Sequence, residues 1–332
     1  MNRRGFITLG CCALGMPTPT NAQTTAATRV YRVGFVTSIG TAYLYPLDDP
    51  RSGIVRPFAE GMRDLGYEDG RNLALIRRSS EGVRGRGADI ATALIREGAE
   101  VIVVTTTTLA KEMMGVTSTV PIVMAAGFDP VALGIVQSLS RPGGNITGFS
   151  NHPGPEFEAK RLQLLIQAAP MKSRIAFLGT RSDWEATNGL AIREVASKLG
   201  VTLIPALHTL TNYEDALAFI EKENAEALFV APQPAPNQKL IVDFAFRHRM
   251  PAMYPWRQYV TDGGLMSYGI DLIDQYRRVA GYVDRILKGE KPGELPIQQP
   301  TKFELVINLK TAKTLGLELP APILAQAGEV IE

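Results

Sequence analysis

Four consecutive threonines, Thr105, Thr106, Thr107 and Thr108, follow the β-branched run Val101-Ile102-Val103-Val104 and open an apolar-periodic stretch. At a strand-to-helix turn, hydroxyls and the unspent N–H groups of the first helical turn make an anion site suited to a carboxylate. The same run also reads as one threonine capping a helix while the others fit the strand end. A second strand-to-helix turn holds Arg181, Asp183 and Trp184, where an aromatic beside polar groups could stack on a bound molecule. Gln233 and Asn237 follow Phe229-Val230, and Trp256 follows another short apolar run. Asp271, after Gly269-Ile270, could pair with an ammonium group or cap the next helix.

The patterns of common catalytic machinery are missing from these turns. Thr37-Ser38-Ile39-Gly40-Thr41 lacks the glycines of a dinucleotide turn, and the sequence has no G-x-x-x-x-G-K-[ST] phosphate loop. Gly148-Phe149-Ser150-Asn151-His152 lacks the second glycine of a nucleophile elbow. The three histidines, His152, His208 and His248, are too scattered to suggest a metal site. We therefore expect no catalytic residue, no cofactor and no metal.

The elements that must hold these side chains alternate. Residues 30–36, 73–77, 101–104, 121–124 and 146–149 read as strands, separated by amphipathic helices. Phe58, Met62 and Leu65 lie on one helical face, and Gly66 stands where a C′ glycine would end that helix. A second set begins with a helix over 155–169, then strands over 174–178, 202–205, 227–230 and 252–254 with helices between them. A helix over 184–199 follows the first of those strands. Such alternation implies parallel βαβ units, and two sets imply two doubly wound parallel-sheet lobes of α/β class.

The N-terminus carries Arg3 and Arg4, an apolar run over residues 5–16 and a small-polar stretch ending at Ala22. This is the layout of a cleaved secretory signal, with some likeness to a twin-arginine signal. Both cysteines, Cys11 and Cys12, fall inside it, in a poor context for lipid attachment. The mature chain would lack cysteine, so no disulfide framework is expected. Its charge would balance, since 35 Lys and Arg less Arg3 and Arg4 equals the 33 Asp and Glu. A balanced chain has no nucleic-acid footprint and no polybasic membrane patch.

Several segments together carry a family resemblance. They are residues 58–72 (FAEGMRDLGYEDGRN), Asp129-Pro130-Val131, residues 140–148 (SRPGGNITG), residues 263–269 (GGLMSYG), residues 286–289 (ILKG) and residues 300–308 (PTKFELVIN). The chain resembles the ABC-transporter substrate-binding proteins of the group that includes tryptophan receptors, built on the type I periplasmic-binding fold. The resemblance implies two hinged lobes that close on a ligand, and the threonine run with Asp129 or Asp271 points to an amino acid or similar small carboxylate, held without reaction. It implies an ABC permease and its ATPase subunit as partners, a monomeric state and a periplasmic location. Matching its binding loops puts Ser38, Thr41, Thr105, Thr106, Asp129 and Asp271 at the cleft. The loop at residues 41–45 departs from the His-Pro-x-Leu-Asp sequence of the tryptophan receptors.

The expected division is a signal at 1–22, one lobe from 30–149 plus 265–291, and another from 150–264 plus 300–332. Crossings between lobes are expected near residues 149–155, 262–267 and 292–301. The full set of expected ligand contacts is Ser38, Thr41, Thr105, Thr106, Thr107, Asp129, Arg181, Trp184, Gln233, Trp256 and Asp271. The competing classes are a hydrolase or transferase using the same cleft, and a ligand sensor for a membrane kinase.

Overall fold

The computed structural model describes residues 29–38, 45–49, 52–151, 154–209, 212–232, 238–300 and 303–332. The expected signal at 1–22 and the expected contacts Thr41 and Gln233 lie outside the described residues.

Strands β1 (Tyr31–Thr37), β2 (Leu73–Ser79), β3 (Val101–Val104), β4 (Ile122–Gly127) and β5 (Ile146–Ser150) form one sheet in the order β2-β1-β3-β4-β5. Every pairing in it is parallel. Parallel neighbours need crossovers, here supplied by α1 (Val55–Asp64), α2 (Arg86–Arg96) and α3 (Thr107–Met114). The β-branched run of β3 is buried because helices cover both faces. Val101 and Val103 pack with Phe58 and Met62 of α1, whereas Ile102 and Val104 pack with Leu94 of α2 and Met113 of α3.

The second sheet has the order β12-β11-β10-β9-β8-β6-β7. Its strands are β6 (Arg174–Gly179), β7 (Thr202–Leu207), β8 (Ala227–Val230), β9 (Ala252–Tyr254), β10 (Met266–Gly269), β11 (Glu304–Asn308) and β12 (Glu329–Ile331). Among the described pairings of these strands, β10–β11 is antiparallel and the others are parallel. The helices of this half are α4 (Pro155–Ala168), α5 (Arg181–Glu185), α6 (Thr187–Lys198), α7 (Glu214–Lys222), α8 (Gln238–Arg247), α9 (Arg257–Thr261), α11 (Leu309–Leu315) and α12 (Ala321–Leu324), whereas α10 (Leu272–Leu287) belongs to the first. Pro205 sits in β7, and a residue without an N–H is tolerated there because β7 is an edge strand.

The expected lobe boundary needs correction. Residues 265–269 were assigned to the first lobe, but β10 pairs with β9 and β11 in the second sheet. The hydrogen-bonding partners of Met266 and Ser267 decide this, and they are invisible to local periodicity. The crossing expected at 262–267 is therefore a turn inside the second sheet, and the chain leaves that sheet only between Gly269 and Leu272. From there α10 packs on the first lobe, burying Tyr276, Val279, Ala280, Val283 and Ile286 in the same core as Phe35 and Phe58. The close approach of α1 to α10 requires Gly61, where an added Cβ would lie 2.7 Å from the Arg277 carbonyl oxygen. A hydrogen bond from the Tyr67 hydroxyl to Asp284 Oδ1 (2.9 Å) fastens the far end of this helix pair. Burial, helped by that carboxylate, pushes the phenol up to about 12.

One buried ion pair stands out in α4. The side chain of Arg161 is fully buried and that of Glu158 is 2% exposed, with Nη1 donating to Oε2 at 2.7 Å. Arg161 Nη2 donates to the Val230 carbonyl at the end of β8 (2.8 Å), and its guanidinium lies 4.6 Å from the Phe229 ring centroid. Arg161 Nε has no partner. The pair thus ties the first turns of α4 to the strand end of β8.

Candidate functional site at the strand ends

Both halves share one strand order. Reading β2-β1-β3-β4-β5 beside β7-β6-β8-β9-β10 shows the same doubly wound plan, in which the order reverses between the first and third strands of each half. In such sheets neighbouring loops diverge at that reversal, and the crevice beyond the strand carboxyl ends takes the ligand. The reversal falls between β1 and β3 in the first half and between β6 and β8 in the second.

At the first reversal, Ser38 and the threonine run meet. The Ser38 N–H donates to Thr105 Oγ1 (3.1 Å), joining the loops after β1 and β3. The Ser80 hydroxyl and the Gly82 N–H both donate to the Ser38 carbonyl, at 2.9 and 2.7 Å. Thr106 is the N-cap of α3, its hydroxyl accepting from the Leu109 N–H at 3.3 Å. The Thr107 hydroxyl turns inward, donating to the Phe128 carbonyl (3.0 Å) and accepting from the Phe128 N–H. It thereby holds the loop after β4 against α3. The N–H groups of Thr107 and Thr108 occupy the first two helical positions, where no carbonyl four residues back can serve them. These donors, together with the positive end of the α3 dipole, face the crevice side of the sheet and suit an anion.

Asp129 stands beside this group after β4. Its backbone is left-handed, with φ +42°, unusual for a residue with a side chain. Its Oδ1 accepts from the Ala132 N–H at 3.3 Å, closing a turn. Strain of this kind is concentrated at functional loops.

At the second reversal, Thr180 and Asp183 form a capping box. Asp183 accepts from the Thr180 N–H (2.7 Å), and the Thr180 hydroxyl accepts from the Asp183 N–H (3.2 Å). Arg181 projects to solvent and pairs with Glu185 at 3.3 Å. The helix expected over 184–199 is two helices, because Ala186 is extended and serves as the N-cap of α6. Trp184, at the end of α5, packs on Phe177 and turns into a groove between α6 and β7. Trp256 is the N-cap residue of α9 and is half-buried, its ring 6.3 Å from that of Tyr259. Asp271 caps α10, its Oδ1 accepting from the N–H groups of Ile273 (2.9 Å) and Asp274 (3.0 Å).

Sequence reading missed three parts of this arrangement. Gln275 of α10 donates to the Ala125 carbonyl (2.5 Å) and to Asn151 Oδ1 (2.7 Å), clamping the ends of β4 and β5 where the chain leaves the first sheet. A single amide on the apolar face of α10 was the signal available. Ser80, after β2, and the buried Arg161, beneath the end of β8, were the others. His208 is a structural histidine, its Nδ1 2.7 Å from the Thr209 carbonyl and its ring stacked on Tyr213 at 4.0 Å. Burial pushes its pKa below the usual 6.5. Among the described residues no cluster of three His, Cys, Asp or Glu could hold a metal ion. Among the same residues no helix is long and apolar enough to cross a membrane.

Comparison with known proteins agrees with this geometry. The chain is similar to a tyrosine-binding protein of Clostridioides difficile (strain R20291), 23% identical over 282 residues, which cover 82% of this chain and 78% of that protein. It superposes on the structure of an ABC domain in complex with L-Trp from Streptococcus pneumonia with TM-score 0.78 and 25% identity, covering 91% of this chain and 100% of the other. A conserved domain protein from Vibrio cholerae matches with the same TM-score, identity and coverage. The family model described as ABC transporter substrate binding protein matches residues 47–331. With a family model matching residues 47–331 and two doubly wound lobes of one strand order, the chain belongs to the ABC transporter substrate-binding protein family.

Proposed function

We propose that this protein binds an amino acid or similar small carboxylate between its two sets of strand-end loops and presents it to an ABC permease. The observation that carries this reading is the first topological reversal. The Ser38 N–H joins the loop after β1 to Thr105 there, and Thr106 caps α3, whose first-turn N–H groups have no helical carbonyl to serve them. The carboxylate would take those N–H groups and the threonine hydroxyls. The ammonium would pair with Asp129 or Asp271, and Trp256 would cover the apolar part. The relatives named for tyrosine and bound to L-Trp support an amino-acid ligand. Export to the periplasm, with cleavage after Ala22, action as a monomer and binding without turnover complete the proposal.

A thermal-shift screen of the purified protein against amino acids and small carboxylates tests it. A ligand at about 100 times its Kd should stabilise the fold by about 2.7 kcal/mol. Failure of every amino acid and carboxylate to shift the transition contradicts the ligand class. Chemical turnover of a stabilising compound contradicts the receptor reading.

A further inference from the structure

The groove that receives Trp184 lies apart from the strand-end crevice and has the chemistry of a small binding site. The α5–α6 junction is tight, since a Cβ on Gly189 would lie 2.2 Å from the Trp184 carbonyl oxygen. That junction fixes the indole, which packs against Phe177 at 5.2 Å between ring centroids. The Arg193 guanidinium is held 4.5 Å from the indole centroid, and Nη1 donates to the Trp184 carbonyl. The neighbouring acids are engaged elsewhere, Glu194 by Lys198, Glu185 by Arg181 and Asp183 by Thr180. Arg193 is thus a positioned cation with no carboxylate partner among the described residues. Trp184, Arg193, Ala196, Ser197, Val201 and Leu203 line an open groove of about 320 Å³ along the edge strand β7.

We propose that this groove is an accessory site for a small aromatic carboxylate. Nε and Nη2 of Arg193 are left to receive the carboxylate as a fork, the geometry that guanidinium groups favour. Val201, Leu203 and the indole edge supply an apolar wall for a ring. The volume lies at the lower end of the range of about 300–1,000 Å³ usual for small-molecule sites. An uncompensated guanidinium selects a carboxylate over an amine or a neutral ring. The site rests on no assumption about the strand-end ligand.

The test uses the two tryptophans of the chain, Trp184 and Trp256. They give two indole N–H signals in a nitrogen-correlated proton spectrum, assigned with Trp256→Phe. Titration with phenylacetate should move the Trp184 signal saturably, with a Kd of its own that any movement of the Trp256 signal does not share. Arg193→Gln should weaken the apparent affinity by about tenfold or more, with Arg193→Lys between it and the parent. Leu203→Glu, on the edge strand and away from the α5–α6 junction, should abolish binding by placing a carboxylate in the groove. A Trp184 signal that never moves saturably overturns the proposal. So does an affinity unchanged in both Arg193→Gln and Leu203→Glu, or joint movement of both indole signals with one Kd, which assigns the ligand to the strand ends.

Discussion

Asp129 combines strain with charge, and the two can be separated. Asparagine tolerates a left-handed backbone and keeps an acceptor for the Ala132 N–H. Asp129→Asn should therefore leave stability within about 0.5 kcal/mol of the parent. If Asp129 holds the ligand's ammonium, loss of a charge-assisted hydrogen bond worth about 1.5–3 kcal/mol raises Kd roughly ten- to a hundredfold in a calorimetric titration. An unchanged Kd assigns the ammonium to Asp271. His208 makes a prediction of its own. Because burial lowers its pKa, the unfolded chain binds a proton below about pH 6.5 that the folded state resists. The stability associated with neutral His208 is present above that pH and is lost as pH falls through it. Thermal unfolding between pH 7 and 5 should show a shallower fall for His208→Gln than for the parent. Equal slopes would mean that His208 ionises alike in both states. Asp271 reads from sequence with two roles, ammonium partner or helix cap, and the structure shows the cap directly. Capping bonds are short-range and legible, whereas contact with a ligand depends on loops brought together by topology.

At the scale of elements, strands and helix ends were the most legible features. Gly66 ends α1 with φ +91° as its position implies, and the β-branched run over residues 101–104 is buried on both faces. Sheet membership was less legible. Whether β10 belongs to one lobe or the other depends on pairing with β9 and β11, and nothing in its four residues encodes that choice. The pair Glu158 and Arg161 misleads in the same way, since opposite charges at i and i+3 on a helix usually mark a solvated face. Here α4 turns that face onto Phe229 and the end of β8. Removing one partner of a buried pair leaves an uncompensated charge, so Arg161→Ala should cost about 3–5 kcal/mol of stability in denaturant titration. Replacing both residues by apolar side chains of similar volume should cost much less. A single-mutant cost below about 1 kcal/mol would show that water reaches the pair and screens it as it does at a surface.

At the scale of the whole molecule, the account depends on the crossings between the two sheets. The chain passes from β5 to α4, from β10 to α10 and from Gln298 to β11, and the clamp of Gln275 on Ala125 and Asn151 sits at the first two. A few residues at the ends of elements can absorb a rotation of rigid lobes. A ligand that touches both sets of strand-end loops binds the closed arrangement better and shifts the population toward it. That shift is what a permease could read as a loaded receptor. Small-angle scattering of the protein, with and without the ligand identified by thermal shift, measures it directly. The account predicts a smaller radius of gyration at saturation; an unchanged radius, with the free protein open, would contradict capture by closure.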